Sequence, residues 1–319
     1  MSRTAALIIG RNEGARFKAC LASLPKGLAQ VIYVDSGSTD DSVAAAQSYG
    51  AEVVSLDMAQ PFTAARARNA GLDRLSPDQI DYVQLIDGDC ALQDGWITTA
   101  QAALQAKPKL AVVCGRRREM HPQASVYNRL CDHEWDTPIG PAKACGGDAL
   151  MRLAALKEIG GYNPALIAGE EPDLCVRLRQ SGWQIERLDA EMTWHDADMH
   201  RFGQWWRRTQ RAGHAFAEGS ALHGAPPERH WVTETRRALL WGAALPALAL
   251  VSACWSPWML LLLLAYPAQV LRLGLKNAEP GRWERAVFTV LGKLPEAKGA
   301  LGYYVARISG RKKALIEYK

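Results

Sequence analysis

The sequence predicts an α/β fold, a mostly parallel central sheet with flanking helices, followed by a C-terminal hydrophobic helical hairpin. Three observations predict it. Short apolar runs alternate with helical stretches over residues 1–115, the pattern of βαβ units. Polar or acidic residues close several of those runs, at the carboxyl ends where such sheets bind ligands. Residues 238–271 then pass without one charged side chain, a length that suits a tight pair of helices better than a single crossing. The 319 residues, 48% hydrophobic and 22% charged, exclude whole-chain disorder and provide for one large domain with an appendage.

The first apolar run, Ala5–Ile9, reads as a strand that ends before Gly10, Asn12 and Glu13. It is too short, and lacks a small-residue cleavage site, for a signal peptide. Seven scattered cysteines with no C-x-x-C pair fit reduced thiols rather than a disulfide frame or a zinc site. Together these place the front of the chain in the cytoplasm. Val31–Val34 is the second strand and ends at Asp35; Gly37 permits a tight turn and Thr39 is suited to cap the helix Asp41–Tyr49. Ala51–Ser55 is the third strand. Helix Ala64–Leu75 carries Arg66 and Arg68, Tyr82–Ile86 ends at Asp87, and helix Trp96–Ala106 leads to a strand at Leu110–Cys114. Residues 116–148 are irregular. Residues 149–190 read as helix, turn, helix and strand, the second helix running from Pro172 to Gln180 with Gly182 as its stop.

The back of the chain differs in charge. Residues 1–200 hold 20 basic and 26 acidic side chains, residues 201–319 hold 18 basic and 7 acidic. Ser256-Pro257 in the middle of the uncharged run is a natural turn. Arg236 and Arg237 before it and Arg272 and Lys276 after it put both ends on the cytoplasmic side. Arg201–Arg211 mixes paired Trp with Arg, as a helix at headgroup level does, and the basic tail Arg311-Lys312-Lys313 with Lys319 faces anionic lipid. The organisation expected is a catalytic domain over 1–200, an interfacial helix and linker over 201–235, a transmembrane or re-entrant hairpin over 236–275 and a basic cytoplasmic tail over 276–319. No nucleic-acid-binding signature accompanies the positive charge.

The sharpest chemical signal is Asp87-Gly88-Asp89. On an extended segment side chains two apart point the same way, so Asp87 and Asp89 present two carboxylates to one point. Such hard oxygen donors suit Mg²⁺ or Mn²⁺ bridging to phosphate oxygens. Arg66 and Arg68 lie on a helix near the same edge and suit a diphosphate. A carboxylate general base is available from Glu170, Glu171 or Asp173 at a loop-to-helix junction.

These pieces occur in a telling order: Ile8-Ile9-Gly10-Arg11-Asn12-Glu13, Val34 through Asp40, Ala67-Arg68-Asn69-Ala70-Gly71, Asp87-Gly88-Asp89, Gly146-Gly147-Asp148 through Arg152, Gly160-Gly161-Tyr162, and Gly169-Glu170-Glu171-Pro172-Asp173-Leu174 with Arg177. Over residues 4–200 the chain resembles family 2 of the glycosyltransferases, which have the GT-A fold. The resemblance implies metal-dependent transfer of a sugar from a nucleotide-activated donor, UDP- or GDP-linked, with inversion. By position, Asn12, Glu13 and Asp35 would surround the base and ribose, Arg68 would approach the diphosphate, and Asp87 and Asp89 would hold metal and donor. His195 would complete the metal shell. Glu171 falls where the family shows an Asp base, one methylene longer, with Asp173 next in line. Gly147 and Asp148 would lie on the acceptor side, as would His133 and Asp136. Ser36 stands where many relatives have a second Asp. The hairpin and basic flanks imply the inner leaflet of the cytoplasmic membrane as partner, with a lipid-linked or glycan acceptor in cell-surface polysaccharide or glycolipid synthesis. Transfer to a polyprenyl phosphate, or a non-catalytic scaffold of the same fold, are the rivals.

Overall fold

A computed structural model describes residues 2–276 and 278–310; the basic tail over 311–319 lies outside the described residues. The chain divides into two compact units, residues 1–124 with 131–198, and residues 125–130 with 199–319.

The first unit is built on β1 (Thr4–Gly10), α1 (Gly14–Ser23), β2 (Gln30–Asp35), α2 (Ser42–Tyr49), β3 (Glu52–Ser55), α3 (Ala64–Leu72) and β4 (Tyr82–Asp87). β5 (Cys90–Leu92), α4 (Trp96–Ala106) and β6 (Leu110–Glu119) follow, and α5 (Val126–Glu134) begins in the second unit and ends in the first. β7 (Gly140–Pro141), β8 (Ala149–Arg152), α6 (Leu153–Glu158), α7 (Glu170–Gln180) and β9 (Gln184–His195) complete it. The sheet order is β3-β2-β1-β4-β8-β6-β9-β5, with β7 on β9. β3, β2, β1 and β4 are parallel; β8 enters antiparallel between β4 and β6. Strand order reverses between β1 and β4, the switch point at which an open α/β sheet forms its binding crevice. β1 is apolar and buried along nearly its whole length because helices cover both faces.

The predicted strands and helices of residues 1–115 form with boundaries shifted by a few residues. Three differences matter. β6 continues past Cys114 to Glu119, carrying Arg116, Arg117 and Arg118 into the sheet. Ala149–Arg152, read as helical from its Ala-Leu-Met composition, is the buried strand β8; pairing on both edges overrides helix propensity. Thr39 does not cap α2. The N-cap residue is Asp41, which makes no side-chain cap bond; Asp40 before it accepts the Ser42 N–H on Oδ1 at 3.0 Å and the Gly14 N–H at the start of α1 on Oδ2 at 3.0 Å.

The second unit is helical: α8 (Phe202–His223), α9 (Val232–Leu239), α10 (Leu245–Ser252), α11 (Ala265–Lys276), α12 (Arg282–Leu291) and α13 (Lys293–Ser309). A π-helical turn, Leu240–Ala244, joins α9 to α10, and the 3₁₀ segment Pro257–Leu264 runs into α11. The expected hairpin is therefore two helical arms, Val232–Ser252 and Pro257–Lys276, with the turn beside the predicted Ser256-Pro257. Pro257–Lys276 is, among the described residues, one helix long and apolar enough to cross a membrane, and almost none of it is buried. The expected headgroup helix is different. Trp205 is buried, stacked 6.5 Å from Tyr127 and edge-on 5.0 Å from Phe288. Gly213 and Gly299 let α8 and α13 touch backbone to backbone, a Cβ on either colliding with a carbonyl of the other helix. The Trp205 face of α8 thus packs on protein; Phe202 and Arg207 remain exposed.

Candidate active site

Arg68 organises the site. It lies on α3, is 3% exposed, and stands over the Tyr162 ring at 5.4 Å. Its Nη2 donates to Asp87 Oδ1 at 2.9 Å and its Nη1 to Glu171 Oε1 at 2.6 Å, with Glu170 Oε1 at 3.5 Å. One guanidinium so joins the end of β4 to the first turn of α7. It is held as a pivot between carboxylates, and it is not free to meet a diphosphate as the sequence led us to expect. Arg66, its companion on α3, spends its guanidinium on the carbonyls of Asp57, Gln60 and Pro61 and fixes that loop.

α7 opens at Gly169, whose φ of 80° suits glycine. Three acids fill its first turn and Arg177 and Arg179 its last, matching the helix dipole. Asp173 is buried and paired with Arg177 Nε at 2.9 Å, which makes it an internal brace. Glu171 differs. Burial and the adjacent Glu170 push its carboxyl up to about 7 against the pull of Arg68, within the range of a general base at neutral pH.

The two acids of Asp87-Gly88-Asp89 do not converge. β4 ends at Asp87 and the chain turns through Gly88 and Asp89, so the alternation that would aim both side chains alike stops there. Asp87 goes to Arg68. Asp89 faces His195 from the end of β9, Oδ2 to Nε2 at 3.3 Å. Asp89, Cys90 and His195 form the group of ligand atoms that gather within 4.8 Å. Burial, together with Asp148 and Asp89, holds the Cys90 thiol well above its usual range, so it stays protonated and makes a poor ligand. His195 Nδ1 is buried with no partner among the described residues, and its ring stacks on Trp135 at 4.6 Å. A carboxylate and an imidazole fit Mn²⁺ or Mg²⁺ when phosphate oxygens complete the shell.

The crevice at β1 and β2 is closed by side chain–backbone bonds. Asn12, at φ 55°, accepts the Thr39 N–H on Oδ1 at 2.7 Å and donates its own N–H to Ser38 Oγ at 3.0 Å. Asp35 does not point free of its strand. It is buried and accepts the N–H groups of Gly37 and Ser38 and the Tyr33 hydroxyl. Glu13 pairs with Arg16 at 2.8 Å, and Arg16 also lies 3.7 Å from Asp196 and 3.6 Å from Asp198.

The acceptor-side expectation for Asp148 fails. Asp148 is fully buried, bound to Arg117 Nε at 3.0 Å, the Thr193 hydroxyl at 2.8 Å and the Asp87 N–H at 3.3 Å. It braces β4, β6 and β9 beneath the site. Gly147 lies against the pivot instead: a Cβ there would sit 2.6 Å from Arg68 Nη2 and 2.8 Å from Asp87 Oδ2. Asp136 pairs with Arg116 and Arg187, each at 3.4 Å, and His133 is exposed on α5. Sequence reasoning missed Arg16, Arg117 and Trp135. Arg117 stands over Trp135 at 5.5 Å, behind the His195 ring. Its signal, three arginines after a strand, reads as a surface run until the sheet is known to continue through them.

A mostly parallel sheet with flanking helices and this crevice at its switch point is of the GT-A-like class. Residues 6–140, a little under half of the chain, match the family model for glycosyl transferase family 2. The chain is similar to the pre-mycofactocin glycosyltransferase of Mycobacterium tuberculosis, 27% identical over 260 residues, covering 76% of this chain and 51% of that protein. It thus spans about half the length of that relative. It also resembles the succinoglycan biosynthesis protein ExoA of Rhizobium meliloti, 25% identical over 194 residues, 56% of this chain and 58% of the other. Among solved structures, a mannosyltransferase from Pyrobaculum calidifontis, in complex with GDP-Man and Mn²⁺, superposes with TM-score 0.64 at 18% identity, covering 94% and 87% of the two chains. TarS of S. aureus, residues 1–349, does so with TM-score 0.54 at 13% identity, covering 97% and 92%. At these identities the structural likeness concerns the fold.

Proposed function

We propose that the protein is an inverting glycosyltransferase, taking a UDP- or GDP-linked sugar and passing it to a hydroxyl acceptor at the cytoplasmic face of a membrane. The observation that carries this reading is Glu171, a half-buried carboxyl held by Arg68 against Asp87 and raised to about 7. Glu171 removes the acceptor hydroxyl proton, and the freed oxygen attacks the anomeric carbon. The bond from that carbon to the diphosphate oxygen breaks on the opposite face and its electron pair leaves with the nucleoside diphosphate. Asp89 and His195 are the residues that would hold Mn²⁺ or Mg²⁺, which when bound supplies charge to stabilise the leaving diphosphate. Arg68 sets the angle of the base, and Asn12, Glu13 and Asp35 shape the crevice for base and ribose. The Pyrobaculum neighbour's GDP-Man and Mn²⁺ support the donor class. The apolar helix Pro257–Lys276 and the succinoglycan relative support a lipid-linked or glycan acceptor in surface polysaccharide synthesis.

The test pairs two measurements. Calorimetry with UDP and GDP, with and without Mn²⁺, should show metal-dependent binding of one nucleotide, weakened in Asp89→Asn. Glu171→Gln should bind donor normally and lose about 10²- to 10⁴-fold in transfer. Unchanged turnover in Glu171→Gln would overturn the base assignment.

A further inference from the structure

The hairpin of the second unit is expected either to span the membrane or to enter and return, and three features of its tip separate the two. The uncharged part of the first arm, Ala238–Ser252, is roughly 22 Å long at about 1.5 Å per residue. The uncharged part of the second, Pro257–Leu271, comes to about 27 Å with its first eight residues in 3₁₀ form. A hydrocarbon core measures about 30 Å, and any tilt shortens the reach of both arms.

The turn itself is built for a dry place. Every backbone N–H from Ala253 to Ser256 donates within the hairpin: Ala253 to Ala249 at 3.1 Å, Cys254 to Val251 at 3.2 Å, Trp255 to Ser252 at 3.0 Å and Ser256 to Ser252 at 3.1 Å. Pro257 has no N–H, and the Ser252 hydroxyl folds back on the Leu248 carbonyl at 2.6 Å. A turn lying in water has no need of this, whereas one in hydrocarbon must satisfy its donors internally. Its side chains agree. No charge stands between Ala238 and Leu271, while Trp255 and Trp258 are 80% and 77% exposed. The charges wait at the other end, Arg236 and Arg237 on one arm and Arg272 and Lys276 on the other, where anionic headgroups of one leaflet would pair with both.

We propose that the occupant of this surface is a lipid bilayer entered from the cytoplasmic side only, with the Ala253–Ser256 turn ending inside the hydrocarbon as a re-entrant loop. This rests on the membrane association proposed above and goes on to its topology. The Tyr266 hydroxyl donates to the Trp241 carbonyl and ties the arms together, so the hairpin enters as one body.

The chain carries its own reporter. Cys254 in the turn is exposed, whereas the other six cysteines are buried. The full-length protein is expressed in a bacterial host and treated with a charged, membrane-impermeant maleimide in right-side-out spheroplasts and in inverted vesicles. Cys254→Ser supplies the blank. Cys254→Ser with Glu279→Cys, at an exposed site between α11 and α12, reports the cytoplasmic side. Cys254 should label at least 10-fold more slowly than Glu279→Cys in inverted vesicles, stay silent in spheroplasts, and react once detergent is added. Labelling from outside spheroplasts means that the hairpin spans, and overturns the proposal. Labelling in inverted vesicles at the rate of Glu279→Cys means that the turn stays in cytoplasmic water, and overturns it too. Silence after detergent would show that the turn is covered by protein. Recovery of the whole protein in the soluble fraction would instead remove the membrane reading beneath it.

Discussion

Glu171 and Glu170 share one guanidinium, and the sign of each neighbour's effect fixes what pH should do. Burial and Glu170 raise the Glu171 carboxyl while Arg68 lowers it. The base role proposed for Glu171 requires the ionised carboxylate, so kcat/KM should fall about tenfold per pH unit below about 7 and level off above it. Glu170→Gln removes the like charge and should move that acid limb to lower pH with the plateau kept. A limb that does not move would assign it to another group. Stability carries the opposite sign. A carboxyl whose folded pKa is raised binds more protons folded than unfolded, so its contribution is full below about 4.5 and is lost as pH rises through about 7. Gly147 gives a second prediction at this scale. Gly147→Ala drives a methyl between Arg68 and Asp87, which should cost about 1–3 kcal/mol in a denaturant melt and reduce turnover more than donor binding. Full activity in Gly147→Ala would show that the pivot is not needed.

Elements divide by how local their causes are. The parallel strands β1 to β4 were legible because buried strands are apolar runs closed by polar residues, and α7 was legible because its acids, arginines and glycines follow helix-end chemistry. β8 was not, since Ala149–Arg152 is a strand only by virtue of β4 and β6 on either side. Non-locality shapes the site as well. The pairing of Asp89 with His195, which the sequence suggested only through the family resemblance, depends on β5 lying antiparallel on β9, and the loss of Asp148 to the interior, which the sequence did not suggest, depends on Arg117 arriving from β6. Neither partner is near in sequence. The α8–α13 crossing belongs here as well. Gly299→Ala would press a methyl into the Gln210 carbonyl, and because both sides of that contact are backbone, neither yields cheaply. We expect a lower melting temperature for the second unit's helices, by circular dichroism, and an unchanged value would mean that the helices slide apart at no cost.

At the scale of the whole molecule the charge is divided along the chain: residues 1–200 hold six more acidic than basic side chains, residues 201–319 eleven more basic than acidic. An enzyme whose donor is a nucleoside diphosphate sugar gains nothing from an acidic catalytic portion beyond its few binding groups. A membrane enzyme gains from a basic one, since each Lys or Arg near an anionic surface contributes about 1 kcal/mol. The two contributions to the proposed membrane attachment respond differently to salt. Coulombic attraction is screened, the screening length falling from about 10 Å at 0.1 M to about 3 Å at 1 M, whereas burial of the Leu-rich arms is not. Binding of the full-length protein to vesicles containing phosphatidylglycerol should therefore weaken several-fold between those salt concentrations and then reach a floor. Arg236→Ala with Arg237→Ala should lower the low-salt affinity and leave the floor in place. Vesicle flotation measures both. Complete release by salt would assign the attachment to charge alone and leave the apolar hairpin without a role in it; binding that ignores salt would mean that the basic residues of this half face something other than the lipid surface.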